Sequence, residues 1–427
     1  MRQFRSALEI ATPSASEGQQ EYRQLGAFEN IFAAYSEEAS TTFAMMAELQ
    51  GDITKTAIEK ALAAVQARHP LLGVGIRRDA NNRRIFVRST QPIRLKELPT
   101  GAVPWELAAG LEIRRPFDVE EGPLMMAAVR FEPKSVRMFF TFHHSIADGM
   151  AGAFVIRDFV RALSGERLGS FVEAASLDRR LVDVPRTRPV AQEEAGAAVG
   201  PDPEAVRRWG RGMNAIPSVS SLAFAPDFTR RLREVARFHD ATVHAALSVA
   251  VARAMGEARG SARPLRLMSP INLRRMLGVN DECGLFVTAG MTVVETVGNS
   301  FWDEARKARA ALEPFMNSDA AHDMIVGMRA FRDNDDSAAG ARAAFAAGFD
   351  FDVMLTNLGS LPIAARHGRY RIKAIAGPIV LASVEDEHII GVATLEYRLQ
   401  LVYTSIRPLT GLLERVEKKL VDACKGW

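Results

Sequence analysis

The chain has 427 residues, 48% of them hydrophobic and 25% charged, with a net charge of +3. That length exceeds one ordinary core, so about two domains are expected. The composition is that of a globular protein, and with no Lys/Arg block it offers no nucleic-acid footprint. Two cysteines, Cys283 and Cys424, exclude a disulfide framework and favour a reducing compartment. The first twenty residues hold no uninterrupted apolar stretch of the secretory kind, and no run reaches the roughly 18–20 apolar residues that span a bilayer. A cytoplasmic monomer is expected.

Residues 1–20 read as a loose arm rich in Ser, Glu and Gln, followed by an apolar patch at Ala27–Tyr35. Thr41–Gln50 reads as a strand. Asp52 or Thr54 can cap the next helix, in which Ile58, Ala61, Leu62 and Val65 keep helical spacing until His69-Pro70 ends it. Short strands at Gly73–Ile76 and Arg84–Val87 flank a turn at Asp79–Asn82. Met125–Phe131 and Val136–Phe142 are strands. The second runs straight into His143-His144-Ser145-Ile146-Ala147-Asp148-Gly149, after which Val155, Phe159, Ala162 and Leu163 mark a helix stopped by Gly165.

Pro185, Pro189, Pro201, Pro203 and Pro217 interrupt a stretch of little periodicity, which is assigned as a connection over 176–217 between a first unit (1–175) and a second (218–427). In the second unit an Ala/Val helix opens at Ala241–Leu247. Strands follow at Leu265–Met268 and Gly284–Val294, and a helix at Phe301–Met316. Asp350–Thr356 is a strand leading into Asn357-Leu358-Gly359. Three late strands lie near 375–383, 388–395 and 398–405, and a last helix at Leu409–Cys424. Strands and helices mix in both units without a 20–50-residue repeat, which excludes a solenoid and gives a two-domain α/β (α+β) class.

The adjacent histidines stand out, since the chain has only eight. An imidazole at a strand mouth is partly neutral near pH 7 and can take a proton from a hydroxyl or amine attacking a carbonyl. Gly149 would let the backbone turn sharply and present an N–H to a reacting oxygen. Two bland readings compete: a pair of core histidines, and a metal site with Asp148. The metal reading fails on divergent side chains and the lack of a third nearby ligand. Asn357 is either a donor to a substrate carbonyl or an Asn-Gly-type turn residue.

The run His143–Gly149 matches HHxxxDG, and the chain resembles the condensation-domain and chloramphenicol-acetyltransferase-like acyltransferase superfamily. Further matches follow in order: Arg68-His69-Pro70-Leu71-Leu72, Pro116-Phe117-Asp118 with Gly122-Pro123-Leu124, Thr242–Leu247, Asn272-Leu273-Arg274 and Thr356-Asn357-Leu358-Gly359. Free-standing polyketide-associated acyltransferases and alcohol acetyltransferases are the nearest in pattern. No Asp-Phe-Gly-Trp-Gly element of the plant branch is present.

The resemblance implies two chloramphenicol-acetyltransferase-like subdomains forming a pseudo-dimer, with an active-site tunnel between them. It implies His144 as general base, His143 as a packed neighbour, and Asp148 paired with Arg274 to brace the loop; a rival reading has Asp148 orient His144. It further implies acyl transfer from an acyl-CoA or a phosphopantetheinyl acyl carrier protein to a small alcohol or amine, with no bound cofactor or metal. Asn357 with Thr356, or the Gly149 N–H, is the oxyanion donor. Two alternatives stay open: an amide-forming condensation enzyme acting on carrier-bound substrates, and a non-catalytic carrier-binding relative.

Overall fold

A computed structural model describes residues 20–101, 103–172, 174–188, 202–209, 215–298 and 300–426. The arm expected at 1–20 lies outside them except for Gln20, as do residues 189–201 of the connection. The chain begins with β1 (Glu21–Gln24), α1 (Ala27–Tyr35) and β2 (Thr42–Gln50). Then comes α2 (Lys55–Arg68), whose first turn is capped by Thr54 accepting from the Ala57 N–H; Asp52 is not the cap. β3 (Val74–Arg78) and β4 (Arg84–Arg88) join β1 in a small three-stranded sheet. β5 (Arg94–Glu97), α3 (Trp105–Glu112), β6 (Met125–Glu132), β7 (Ser135–His143) and α4 (Gly149–Leu163) complete the first half.

The stretch assigned as a connection carries two short helices, α5 (Leu177–Leu181) and α6 (Pro203–Arg208). The second half runs through β8 (Ser218–Ala223), α7 (Pro226–Phe238), α8 (Val243–Arg259), β9 (Leu265–Asn272), α9 (Arg274–Leu277), β10 (Val287–Val294) and α10 (Phe301–Leu312). It continues with α11 (Ser318–Asn334), α12 (Ala338–Gly348), β11 (Val353–Ser360), β12 (Arg366–His367), β13 (Tyr370–Leu381), β14 (His388–Leu395), β15 (Arg398–Ser405) and α13 (Leu412–Ala423). Helices α3, α7, α11 and α12 have no counterpart in the sequence reading. Among the described residues no helix is long and apolar enough to cross a membrane.

Two six-stranded mixed sheets carry the two halves. The first has the order β12-β13-β2-β7-β6-β5, the second β10-β9-β11-β14-β15-β8. Strand β2 is central in its sheet, paired antiparallel to β7 and β13. It is apolar at nearly every position because both its faces are covered. Phe43, Met45, Ala47 and Leu49 join the main core with α4, while Ala44 and Met46 face a smaller cluster that includes Ala109 and Val402. Each large side chain fully buried there contributes about 1.5–3 kcal/mol. The Ala-rich α8 is buried almost all round, between the second sheet and helices α10 and α13.

The chain does not keep its two halves separate. After β11 it leaves the second sheet, adds β12 and β13 to the first, and returns as β14. A division at residue 217 does not anticipate this, because the strand pattern of Tyr370–Leu381 says nothing about which sheet accepts it. The two sheets meet where β14 passes β13: a Cβ on Gly391 would lie 1.9 Å from the Pro378 carbonyl oxygen. Only a residue without a side chain allows that approach. The Gly391→Ala variant is expected to lose about 1–3 kcal/mol or more of stability through overpacking against rigid backbone, read as a lower urea midpoint. An unchanged midpoint would mean that the sheets can part at this point without cost.

Candidate active site

The HHxxxDG loop is built by the ends of two elements. Strand β7 pairs with β2 as far as His143 opposite Thr42, and the ladder stops there. The His144 N–H then donates to the Thr41 carbonyl at 2.9 Å, and the Ile146 N–H to the His143 carbonyl at 3.2 Å. Asp148 caps α4 by accepting from the Ala151 N–H at 2.8 Å. The segment from 144 to 148 is therefore a short, fully tied link between a strand and a fifteen-residue helix.

The two imidazoles have different fates. His143 points into the protein. Its Nδ1 lies 2.7 Å from the Ser145 hydroxyl and accepts from the Ser145 N–H at 3.3 Å. Burial, helped by the neighbouring His144, pushes its pKa down to about 3, so it is neutral. His144 instead lines a cavity. Its ring stacks on Phe32 with centroids 4.4 Å apart and planes 10° apart, and Phe43 lies against it at 5.1 Å. Burial lowers its pKa, opposed by the carbonyls of His144 and Ala147 and by the Asp148 charge. Nδ1 is enclosed and has no hydrogen-bond partner among the described residues.

The cavity lies between the halves and holds about 1140 Å³ of unfilled space, open mouths included. His144, Asp148, Gly149, Thr356 and Asn357 all line it. Gly149 and Met150 bring the N-terminus of α4 to its wall, where the first N–H groups of a helix have no partner within the helix. The reason for Gly149 differs from the turn expected. It sits in the first helical position, and a Cβ there would meet Pro378 at 2.6 Å and Leu358 at 2.8 Å. Its smallness admits β11 and β13 to the loop. Asn357 Oδ1 accepts from the Gly359 N–H at 2.8 Å, which is the turn role; its amide NH₂ is left over for the cavity.

Asp148 is the anchor of the loop. Arg274 Nη1 reaches both of its oxygens, at 2.8 and 2.7 Å, and the Phe286 N–H donates to Oδ2 at 2.8 Å. One nitrogen is shared between two oxygens, so the contact is not a parallel fork. Arg274 Nη2 donates to the Gly284 carbonyl at 3.2 Å, and the Asp148 N–H donates to the same carbonyl. The carboxylate's hydrogen bonds go to Ala151, Phe286 and Arg274, and none to His144. A second tie joins the same segment to the first half. His69 Nδ1 accepts from the Cys283 N–H at 3.2 Å, so Nε2 carries the proton and faces Asp158 at 3.1 Å. Cys283 itself is buried, its thiol pushed up by desolvation and directed at the Ile146 carbonyl. Among the described residues no three His, Cys, Asp or Glu side chains converge as metal ligands.

Several wall residues escaped the sequence reading. Thr41, from the edge of β2, has a buried hydroxyl with no partner. Phe345 comes from α12 and Phe349 from just past its last residue, and Trp209 directly follows α6. The four-residue spacing of the two phenylalanines is the one signal that could have marked them as a shared face. Glu387 lies behind the wall, where its Oε2 accepts from the Ala382 and Val384 N–H groups at 3.0 and 3.4 Å, and burial pushes its carboxyl up to about 8. His388 lies 2.6 Å from the Tyr403 hydroxyl.

Known proteins are similar to this chain in sequence and in fold. Residues 31–174 match the condensation domain family. A curated relative, phosphinothricin tripeptide synthetase PhsC of Streptomyces viridochromogenes, is 24% identical over 298 residues; these are 64% of this chain but only 27% of that synthetase. Polyketide synthase associated protein 5 from Mycobacterium tuberculosis has a similar structure, with a TM-score of 0.67 at 15% identity over 96% of this chain and 99% of that one. The first condensation domain of the CDA synthetase gives 0.66 at 16% identity, covering 95% and 97%. The chain has the condensation-domain fold, a pseudo-dimer of two mixed α/β halves. The same fold also serves an epimerization domain of tyrocidine synthetase B, with a TM-score of 0.62 at 15% identity over 96% and 99%, so fold alone does not fix the reaction.

Two stability measurements follow from this geometry. Arg274→Ala leaves the Asp148 carboxylate buried without its counter-charge and is expected to cost about 3–5 kcal/mol, with Asp148→Asn losing less because the amide still caps α4. Equal and negligible losses in urea titrations would sink the brace. The histidines set the acid limit. His143 in the folded state titrates at about 3, and His244 and His388 at about 4, against roughly 6.5 unfolded. Below pH 6.5 the unfolded chain takes up protons that these buried rings refuse, so stability is lost as pH falls from 6.5 towards 4. Glu387 works in the opposite sense, its contribution being lost as pH rises from 4.5 through about 8. One carboxyl against three rings leaves a net loss between pH 6.5 and 4.5, measurable as a falling urea midpoint.

Proposed function

We propose that this chain is an acyltransferase that moves an acyl group from a CoA or acyl-carrier-protein thioester to a hydroxyl, or less favourably an amine, with His144 as general base. The observation that carries the reading is that His144 lines a mostly apolar cavity between the halves beside the N-terminus of α4. The other carboxylate or imidazole on that wall, Asp148, is committed to Arg274. His144 is therefore the side chain able to exchange a proton there near neutral pH.

Nδ1 is enclosed without a partner among the described residues, so Nε2 is assigned the lone pair that faces the substrate. Nε2 takes the proton of the acceptor as its oxygen attacks the thioester carbonyl. The Gly149 N–H, reinforced by the α4 dipole, stabilises the oxyanion, with the Asn357 amide and Thr356 as the further candidates. The C–S bond then breaks, and the imidazolium returns the proton to the leaving thiolate. Attack is direct, without an acyl-enzyme.

Amide formation between carrier-bound substrates is the second reading, favoured by the likeness to a peptide synthetase. Against it, the wall offers no unpaired carboxylate among the described residues to receive an ammonium acceptor. The reading makes these expectations. His144→Ala should lose on the order of 10²-fold or more in thiol release with a panel of acyl thioesters and alcohols. The ascending limb of kcat/KM should lie below pH 6.5, because burial lowers the pKa and the base is active only when neutral. Full activity in the His144 variant, or a burst of thiol with label left on the protein, would overturn the mechanism.

A further inference from the structure

The wall around His144 is not uniform. One side is aromatic: rings follow one another from the imidazole to Phe32 at 4.4 Å, to Phe345 at 5.3 Å, and to Trp209 at 5.3 Å, the last pair lying nearly parallel at 7°. Trp209 is backed edge-on by Tyr35 at 5.7 Å and by Phe351 at 6.5 Å, and is held by a strand bridge to Val384. Phe345 and Trp209 are buried, and the Tyr35 hydroxyl on this side is spent on the Ala382 carbonyl at 3.2 Å. The other side carries the polar groups of the wall: Asn272, Thr288, Thr356 and Asn357 come from β9, β10 and β11, interleaved with Met268, Val287 and Met354.

An acyl thioester has the same division. It joins a pantetheine arm, with two amides and a hydroxyl, to an acyl chain through one carbonyl. A carbonyl held near His144 and the α4 N-terminus would send the arm along the amide- and hydroxyl-bearing side and the chain along the rings. Among the described residues the aromatic wall carries no charged side chain, so a charged acyl group entering it would lose its hydration without compensation from them.

We propose that the aromatic side is a closed chamber for the uncharged, apolar chain of the acyl donor, and that the stacked Trp209–Phe345 pair is its end wall and sets the chain length accepted. This deepens the acyltransferase reading and rests on it for the identity of the donor. Trp209 and Phe345 are specificity residues: they touch the tail of the substrate and leave the reacting atoms alone.

The test measures kcat/KM for straight-chain acyl-CoA thioesters of rising length, with one fixed alcohol, in the wild-type chain, Trp209→Phe and Trp209→Ala. Trp209→Ala should move the optimum longer by about two to four methylenes, and Trp209→Phe by less, while the rate with the best wild-type substrate falls only a few-fold. An unchanged length profile, or a shift seen with acceptor alcohols instead of donors, overturns the proposal.

A second measurement does not depend on catalysis. Straight-chain alkanols displace the uncharged dye N-phenyl-1-naphthylamine, and affinity should rise about fourfold per methylene up to a break. That break should move to longer chains in both Trp209 variants and stay in place in His144→Ala. No break, or a break indifferent to Trp209, overturns the chamber. A shifted break without thiol release from any thioester leaves the chamber standing and removes the acyltransferase reading.

Discussion

A single buried ion pair fixes the geometry of this site. Asp148 belongs to the first half and Arg274 to the second, and both are almost wholly buried. Removing two charges from water is unfavourable unless their polar groups are used, and most are: Ala151, Phe286 and Arg274 complete the carboxylate, and the carbonyls of Glu282 and Gly284 receive Nη2 of the guanidinium, leaving only its buried Nε without a partner among the described residues. Arg274 is further framed by the rings of Phe286 at 5.1 Å and Phe154 at 5.8 Å. The pair therefore has one arrangement available. It holds the start of α4, and with it the loop bearing His144, against the other half of the molecule.

The segment 281–286 extends this constraint into a strap. Besides Asp148, it meets the first half through His69 and through the sulfur of Cys283. Arg180 adds an ion pair to Glu282 at 2.7 Å, and Arg157 pairs with Asp281. Beside the same loop, where Pro378 meets Gly149, β13 inserts into the first sheet while packing on Gly391 of the second. Two independent ties, one of charge and one of backbone, keep the halves in register around the cavity. A proton-transfer site needs its base held to within a fraction of an ångström of its partner, and rigid elements on both sides supply that.

Much of the site was readable because its signals are local. An apolar strand stopping at His143-His144, and an Asp-Gly opening a helical pattern, depend on neighbours a few residues away. The cap of α2 by Thr54 and the stop of α4 at Gly165 are of the same kind, the latter at φ 88°. The aromatic wall was not readable. Trp209 follows a Pro-rich stretch with little periodicity, and Ala338–Gly348 is so rich in alanine that it has no distinct apolar stripe. The wall exists because three distant segments converge, and no window of sequence contains all three. Gly149 shows a middle case: its position was evident, but the reason for it, Pro378 and Leu358 packed against the loop, lies more than 200 residues away.

The sequence by itself determined most of the strands and the helices α2, α4, α8, α10 and α13, the strand-to-helix loop, and the residue types that could do proton chemistry, since backbone preferences, caps and periodicity act over one or two turns. Tertiary structure alone decided that His144 faces a cavity while His143 is enclosed. It alone sent β13 to the first sheet and assembled an aromatic side opposite a polar one. Those outcomes depend on which distant surfaces exclude water together, and that is a property of the packed chain.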